Sequence, residues 1–300
     1  MKGNSLPYLA LFAVQILYGA NYVIAKEVTP AFIKPFGLIF LRTAIVVALF
    51  WLIGLFFKHS KIDKSDFPRL MLCGLTGVTI NQLTFMKGLS MTAPINASII
   101  ILCIPIFVLL FSFLLKSEKL SAKKILGIVL GSIGALIIVT GSGVSANSNA
   151  SYLGDIFLII NCVSYSFYLI IVKKLMQKYA PLQIIKWVFL FGFIGIIPFG
   201  LPEAKLVEWS TMPSSIYWYT AYVVIGATFL TYLFNIYSLK KVNPSVVGAF
   251  IYIQPFIATL IATTLGKDSL TLPKVLAGLL ICFGVYLVSE FKLPNKTISV

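Results

Sequence analysis

The residues of this chain most able to do chemistry are polar and aromatic side chains that interrupt long apolar runs. Asn161, Ser164, Tyr165 and Tyr168 follow one another at i, i+3, i+4 and i+7, which on a helix is a single face. Thr228, Thr231, Tyr232 and Asn235 repeat that spacing, and Gln15, Tyr18, Tyr22 and Lys26 draw another stripe with Asn21 beside it. Asn81, Gln82 and Phe85 form a further cluster, while Asn96 and Gln254 stand next to prolines. Amides and phenols hydrogen-bond a solute and aromatic rings wall it in, a lining that suits a small zwitterionic or polar-aromatic molecule. The same residue types also glue helices together or anchor them at a membrane interface, and both roles are open at this point. The expected substrate contacts are Tyr18, Asn21, Tyr22, Gln82, Phe85, Asn96, Tyr165, Tyr168, Tyr232, Asn235, Gln254 and Arg42.

Arg42 lies about 10 Å deep in its apolar run at the rise of a helix. It either snorkels to the headgroups or pairs with a substrate carboxylate. No Asp or Glu lies deep in any run; Glu27, Asp155, Asp268 and Glu290 all fall near run ends. Exchange of a proton for a cation needs a membrane-buried carboxylate, so that mechanism is disfavoured. Anionic or zwitterionic solutes fit Arg42 and the amides better.

The elements that hold these residues follow from composition. The chain has 300 residues, of which 59% are hydrophobic and 11% charged, with mean hydropathy +0.98. A soluble domain carries about a quarter charged residues, so this is an integral membrane protein, and its apolar runs are too long for the strands of a barrel. Ten transmembrane helices are expected, at 7–26, 35–57, 68–89, 93–115, 122–140, 153–172, 182–200, 215–238, 244–265 and 272–290.

The runs are related in pairs. Pro94 and Pro105 recur 150 residues later as Pro244 and Pro255, and Gly134 recurs as Gly284. Leu89, Leu120 and Leu126 recur as Leu239, Leu270 and Leu276. The expected fold is therefore all-α, with two five-helix repeats, 1–145 and 146–300, around a central cavity. Because five is odd, the second repeat enters from the opposite face and the repeats are inverted, an arrangement that suits alternating access. Lys and Arg crowd the loops on the N-terminal side, as at Lys61, Lys64, Arg69, Lys116, Lys119, Lys173 and Lys174, which puts both termini in the cytoplasm and the protein in the inner membrane. Mid-run Pro105 and Pro255 remove backbone hydrogen bonds and should kink their helices, with an indirect gating role. The carbonyls this frees, at Ile101 and Ile251, are further candidates to face solute.

Several of these stretches resemble the drug/metabolite transporter superfamily, and its EamA family in particular. They are Leu17-Tyr18-Gly19-Ala20-Asn21, Leu89 to Ala97 with Pro105, Glu118-Lys119-Leu120-Ser121 followed by Gly127, Gly131 and Gly134, and Val242-Asn243-Pro244 with Pro255 and Leu270 to Gly284. The resemblance covers nearly the whole chain. It implies a basket of ten helices around a central cavity and the movement of metabolites, often amino acids or related compounds and frequently outward.

The expected activity is thus transport of a small metabolite, as exporter or facilitator, with the lipid bilayer as the other partner. The alternatives are an intramembrane enzyme and a channel or sensor module. Enzyme chemistry lacks its parts: the only histidine, His59, sits in a Lys-rich loop, and no metal-ligand cluster or cofactor motif is present. The charge of +15 reads as topology signal and lipid contact, not nucleic-acid binding. Gly127-x-x-x-Gly131 is a close-packing motif. It is expected to dock within one chain, as a monomer, with a dimer as the alternative.

Overall fold

The computed structural model describes residues 5–57, 61–92, 94–141, 152–264, 266 and 270–289, without the side chains of Tyr22, Val23, Lys26, Pro94 and Ile95. His59, Asp268, Glu290 and the Tyr22 side chain lie outside the described residues.

The described chain is helical. It runs through α1 (Leu6–Val28), α2 (Pro35–Gly54), α3 (67–91), α4 (94–114), α5 (Ala122–Thr140), α6 (Tyr152–Leu175), α7 (Pro181–Ala204), α8 (Ser214–Lys241), α9 (Pro244–Thr264) and α10 (Leu272–Ser289). Proline in the first turn starts α1, α2, α3, α7 and α9, where its missing N–H leaves no bond unmade. Ser121 caps α5 by accepting from Lys124 N at 3.3 Å. Eight of the helices among the described residues are long and apolar enough to cross a membrane. Their outer faces carry exposed Leu126, Val129, Leu279 and Phe283, which only lipid would solvate.

Both proline kinks occur. α4 is broken at Leu102–Cys103, just before Pro105, and α9 at Ile251–Tyr252, just before Pro255. The Ile251 carbonyl is not free, because Gln254 N donates to it at 3.0 Å. The break closes into a tight turn and satisfies that group locally.

A second pair of irregularities was not expected. α3 is π-helical over Leu75–Ile80 and α8 over Tyr222–Leu230. The two stretches end 150 residues apart, and each leads into a cluster of polar residues beginning at Asn81 or Thr231. Such stretches re-aim the side chains that follow and recur at functional sites.

Four pairings build the core. α5 lies along α10, α2 along α7, α3 along α6 and α1 along α8. Glycine sets the closest approach in the first: a Cβ at Gly127 would lie 2.5 Å from the Gly284 carbonyl, and one at Gly284 would lie 2.6 Å from the Gly127 carbonyl. The close-packing motif thus meets a helix of its own chain.

Candidate functional site

α1, α3, α6, α8 and α9 surround a cavity of about 290 Å³, with α2 contributing Arg42 and α4 contributing Ile101 and Ile104. This lies at the lower end of the roughly 300–1,000 Å³ usual for small-molecule sites. Its lining climbs α1 from Val14 to Thr29, a rise of about 20 Å at helical pitch.

Of the expected contacts, Tyr18, Asn21, Arg42, Gln82, Phe85, Tyr165, Tyr232, Asn235 and Gln254 all line this cavity. Gln15, Asn81, Asn161 and Thr228, members of the same stripes, line it too. Asn96 and Tyr168 do not. Asn96 is in the first turn of α4, a helix that reaches the cavity only further along, at Ile101 and Ile104. Tyr168 is turned away and 3% exposed. Its ring seats on Gly77 of α3, where a Cβ would come within 2.5 Å of it. The position 150 residues on from Gly77 is Ala227, and it lines the cavity together with Tyr18, the counterpart of Tyr168.

Arg42 does not snorkel. Its Nε and Nη2 donate to Gln82 Oε1 at 3.1 and 2.5 Å. Gln82 Nε2 donates to Tyr232 Oη at 3.4 Å, and Tyr232 Oη donates to the Gly77 carbonyl at 3.3 Å. Phe189 holds the Tyr232 ring edge-on, with centroids 4.7 Å apart. The guanidinium is thus oriented by a chain of donors from α2 through α3 to α8. Across the cavity Gln254 Nε2 donates to Gln15 Oε1 at 2.9 Å, and Asn161 Nδ2 to the Asn81 carbonyl at 2.7 Å. Asn21 Oδ1 is buried with no partner among the described residues.

Polar ties join the helices toward the end of the bundle where α1 starts. Glu118 accepts from Lys124 Nζ at 2.9 Å, from Ser245 N at 2.9 Å and from Ser245 Oγ at 2.5 Å. Lys173 Nζ donates to the Leu239 and Val242 carbonyls that end α8. Ser238 Oγ donates to Pro7 O, and Tyr8 Oη to Ser289 O, both at 2.9 Å. Toward the opposite end Thr92 pairs with Asp155, joining α3 to α6, and Glu203 accepts from the N–H groups of Phe36 and Gly37, joining α7 to α2.

Helical fold, apolar outer faces and an internal polar cavity define a multi-pass membrane protein. A family model for EamA-like transporters matches residues 5–140 and 152–290, so the chain belongs to the EamA-like transporter family. It is 27% identical over 266 residues to the uncharacterized transporter YetK of Bacillus subtilis, covering 87% of this chain and 80% of that one. It is 27% identical over 280 residues to an uncharacterized transporter of Archaeoglobus fulgidus, covering 93% and 97%. WAT1-related protein At4g30420 of Arabidopsis thaliana is 25% identical over 313 residues, covering 93% and 84%. A crystal structure of a protein with 19% identity superposes with TM-score 0.77 over 95% of this chain and 96% of that one, a likeness of fold alone.

The lining also includes residues that the polar stripes do not mark. Val14 and Thr29 continue the Tyr18 and Ala25 face of α1 by one turn each, a signal present in the helical spacing. Met86, Val247 and Ile104 carry no signal of their own, because any apolar residue reads as lipid-facing in such a chain.

Proposed function

We propose that this protein is a carrier which moves a small polar or aromatic metabolite across the inner membrane by alternating access, as an exporter or facilitator. The observation that carries the reading is a cavity lined from both halves of the chain, with the helix ends nearest the start of α1 tied together by polar groups. With the termini in the cytoplasm, the tied end faces inward and the cavity belongs to an outward-facing state.

Inverted five-helix repeats are supported by contacts that come in related pairs. Gly127 against Gly284 has its 150-residue image in Ala277 against Gly134, where a Cβ at Gly134 would lie 2.7 Å from the Ala277 carbonyl. The pairing of α1 with α8 likewise has its image in α6 with α3. Two such halves exchange conformation about a fixed central site. The breaks at Pro105 and Pro255 act as the bends, and the cavity residues Tyr18, Asn21, Gln82, Tyr165, Tyr232, Asn235 and Gln254 contact the solute.

The test is a metabolite screen on purified protein, reading thermal stabilisation and liposome counterflow together. A substrate stabilises the protein and drives exchange, and Tyr232→Ala lowers that exchange at least about tenfold. Stabilisation without exchange for every binding solute would point to a receptor or sensor instead.

A further inference from the structure

We infer, on the basis of that carrier reading, that the solute is a net anion: a carboxylate on an apolar or aromatic body, with no compensating ammonium group. Among the described lining residues Arg42 is the one charged side chain, and no carboxylate lines the cavity. None of the described ion pairs includes Arg42. An unneutralised guanidinium in a membrane protein is costly, and the group that relieves it most is a carboxylate held by charge-assisted hydrogen bonds. Gln82 does not neutralise it. The amide is a neutral acceptor that takes Nε and Nη2, and Nη1 makes no hydrogen bond to a described residue. The receiving group is therefore oriented yet unpaired.

The rest of the lining sets the body. Tyr18, Phe85, Tyr165 and Tyr232 line the cavity with aromatic rings, and the buried Asn21 Oδ1 can accept from one donor, such as a hydroxyl or amide N–H. An amino acid brings an ammonium group that finds no described carboxylate here, and burying it unpaired opposes binding. An amine lacks the anion altogether. Charge, rather than size, is thus the selection this cavity makes first.

The experiment compares three probes of one skeleton: 3-phenylpropionate, phenylalanine and phenethylamine. Thermal shift and liposome counterflow are measured on the wild type, Arg42→Gln, Arg42→Lys and Gln82→Glu. The acid is expected to stabilise and exchange, with phenylalanine weaker and phenethylamine inert. Arg42→Gln abolishes the preference for the acid, and Arg42→Lys keeps part of it, since a lysine supplies charge without the fork. Gln82→Glu leaves Arg42 in place but gives it an internal counterion, so acid binding falls about tenfold or more. Should Arg42→Gln fail to fold, Gln82→Glu carries the test. The inference is overturned if phenylalanine or phenethylamine matches the acid, if the acid does not bind, or if Gln82→Glu leaves its binding unchanged. Counterflow of either nitrogen-bearing probe at the rate of the acid, lost in Tyr232→Ala, would overturn the charge selection while upholding the carrier.

Discussion

Positions 150 residues apart in this chain do opposite things. Tyr168 lies flat on Gly77, while its counterpart Tyr18 faces the cavity beside Ala227. Gly192 lets α7 close onto α3, with a Cβ there only 2.4 Å from Val78 Cβ, while its counterpart Arg42 reaches out from α2 into the cavity. One face is packed helix to helix, and the other is held open by side chains that need room. Two seams related by the 150-residue offset thus differ by small groups: a methyl at 227 and a guanidinium at 42 mark the one that borders the cavity.

The comparison can be broken on its closed side first. Gly192→Leu forces a branched side chain between α7 and α3, against Val78 and the Gly74 carbonyl, and is expected to cost about 3 kcal/mol or more, read as a lowered unfolding temperature. An unchanged melt would mean that the α3–α7 seam is not as tight as it looks.

A smaller change sharpens the same contrast. Gly77→Ala makes the closed seat resemble the open one and displaces the Tyr168 ring, at about 1–3 kcal/mol. The reverse change, Ala227→Gly, offers Tyr18 a counterpart of the seat that Tyr168 uses at Gly77. It should weaken solute binding with little loss of stability, measured by solute-dependent thermal shift.

The smallest effect lies at the rim. Asp66 accepts from Lys178 Nζ at 2.9 Å and Tyr179 Oη at 2.8 Å, and these bonds hold its carboxyl below the usual range. A lowered folded pKa stabilises the protein above the unfolded value of about 3.9, and the contribution is lost as pH falls through the folded one. Asp66→Asn should therefore lower the melting temperature slightly at neutral pH and flatten its decline below about pH 4. An equal decline in the variant would assign the acid sensitivity elsewhere.

Much of this was legible in the residues. Apolar run length gave α5 at its observed bounds, and the proline positions gave both breaks. Helical spacing groups Tyr18 and Tyr232 with their polar neighbours, Gln82 stands out in a polar cluster, and Gln254 is marked by the adjacent proline. Spacing fixes a face of one helix but not what that face meets, and so it grouped Tyr168 with Tyr165. Only the pairing of α6 with α3 brings Gly77 beneath the Tyr168 ring. The π-helical stretches were illegible for a similar reason, since an extra residue per turn leaves apolar composition unchanged. Arg42 showed its depth in the sequence, whereas its choice between headgroup and cavity depended on Gln82 of another helix.

The central claim is that one cavity serves both faces of the membrane in turn. The most direct test places a single cysteine at Gln254 in a background without Cys73, Cys103, Cys162 and Cys282, and measures its reaction with a membrane-impermeant thiol reagent added from each side. The account expects modification from either side, slowed from both by a transported solute, and slowed most from the cytoplasmic side while the Glu118, Lys124 and Ser245 ties are intact. Modification from one side only, unaffected by solute or by Glu118→Gln, would contradict it.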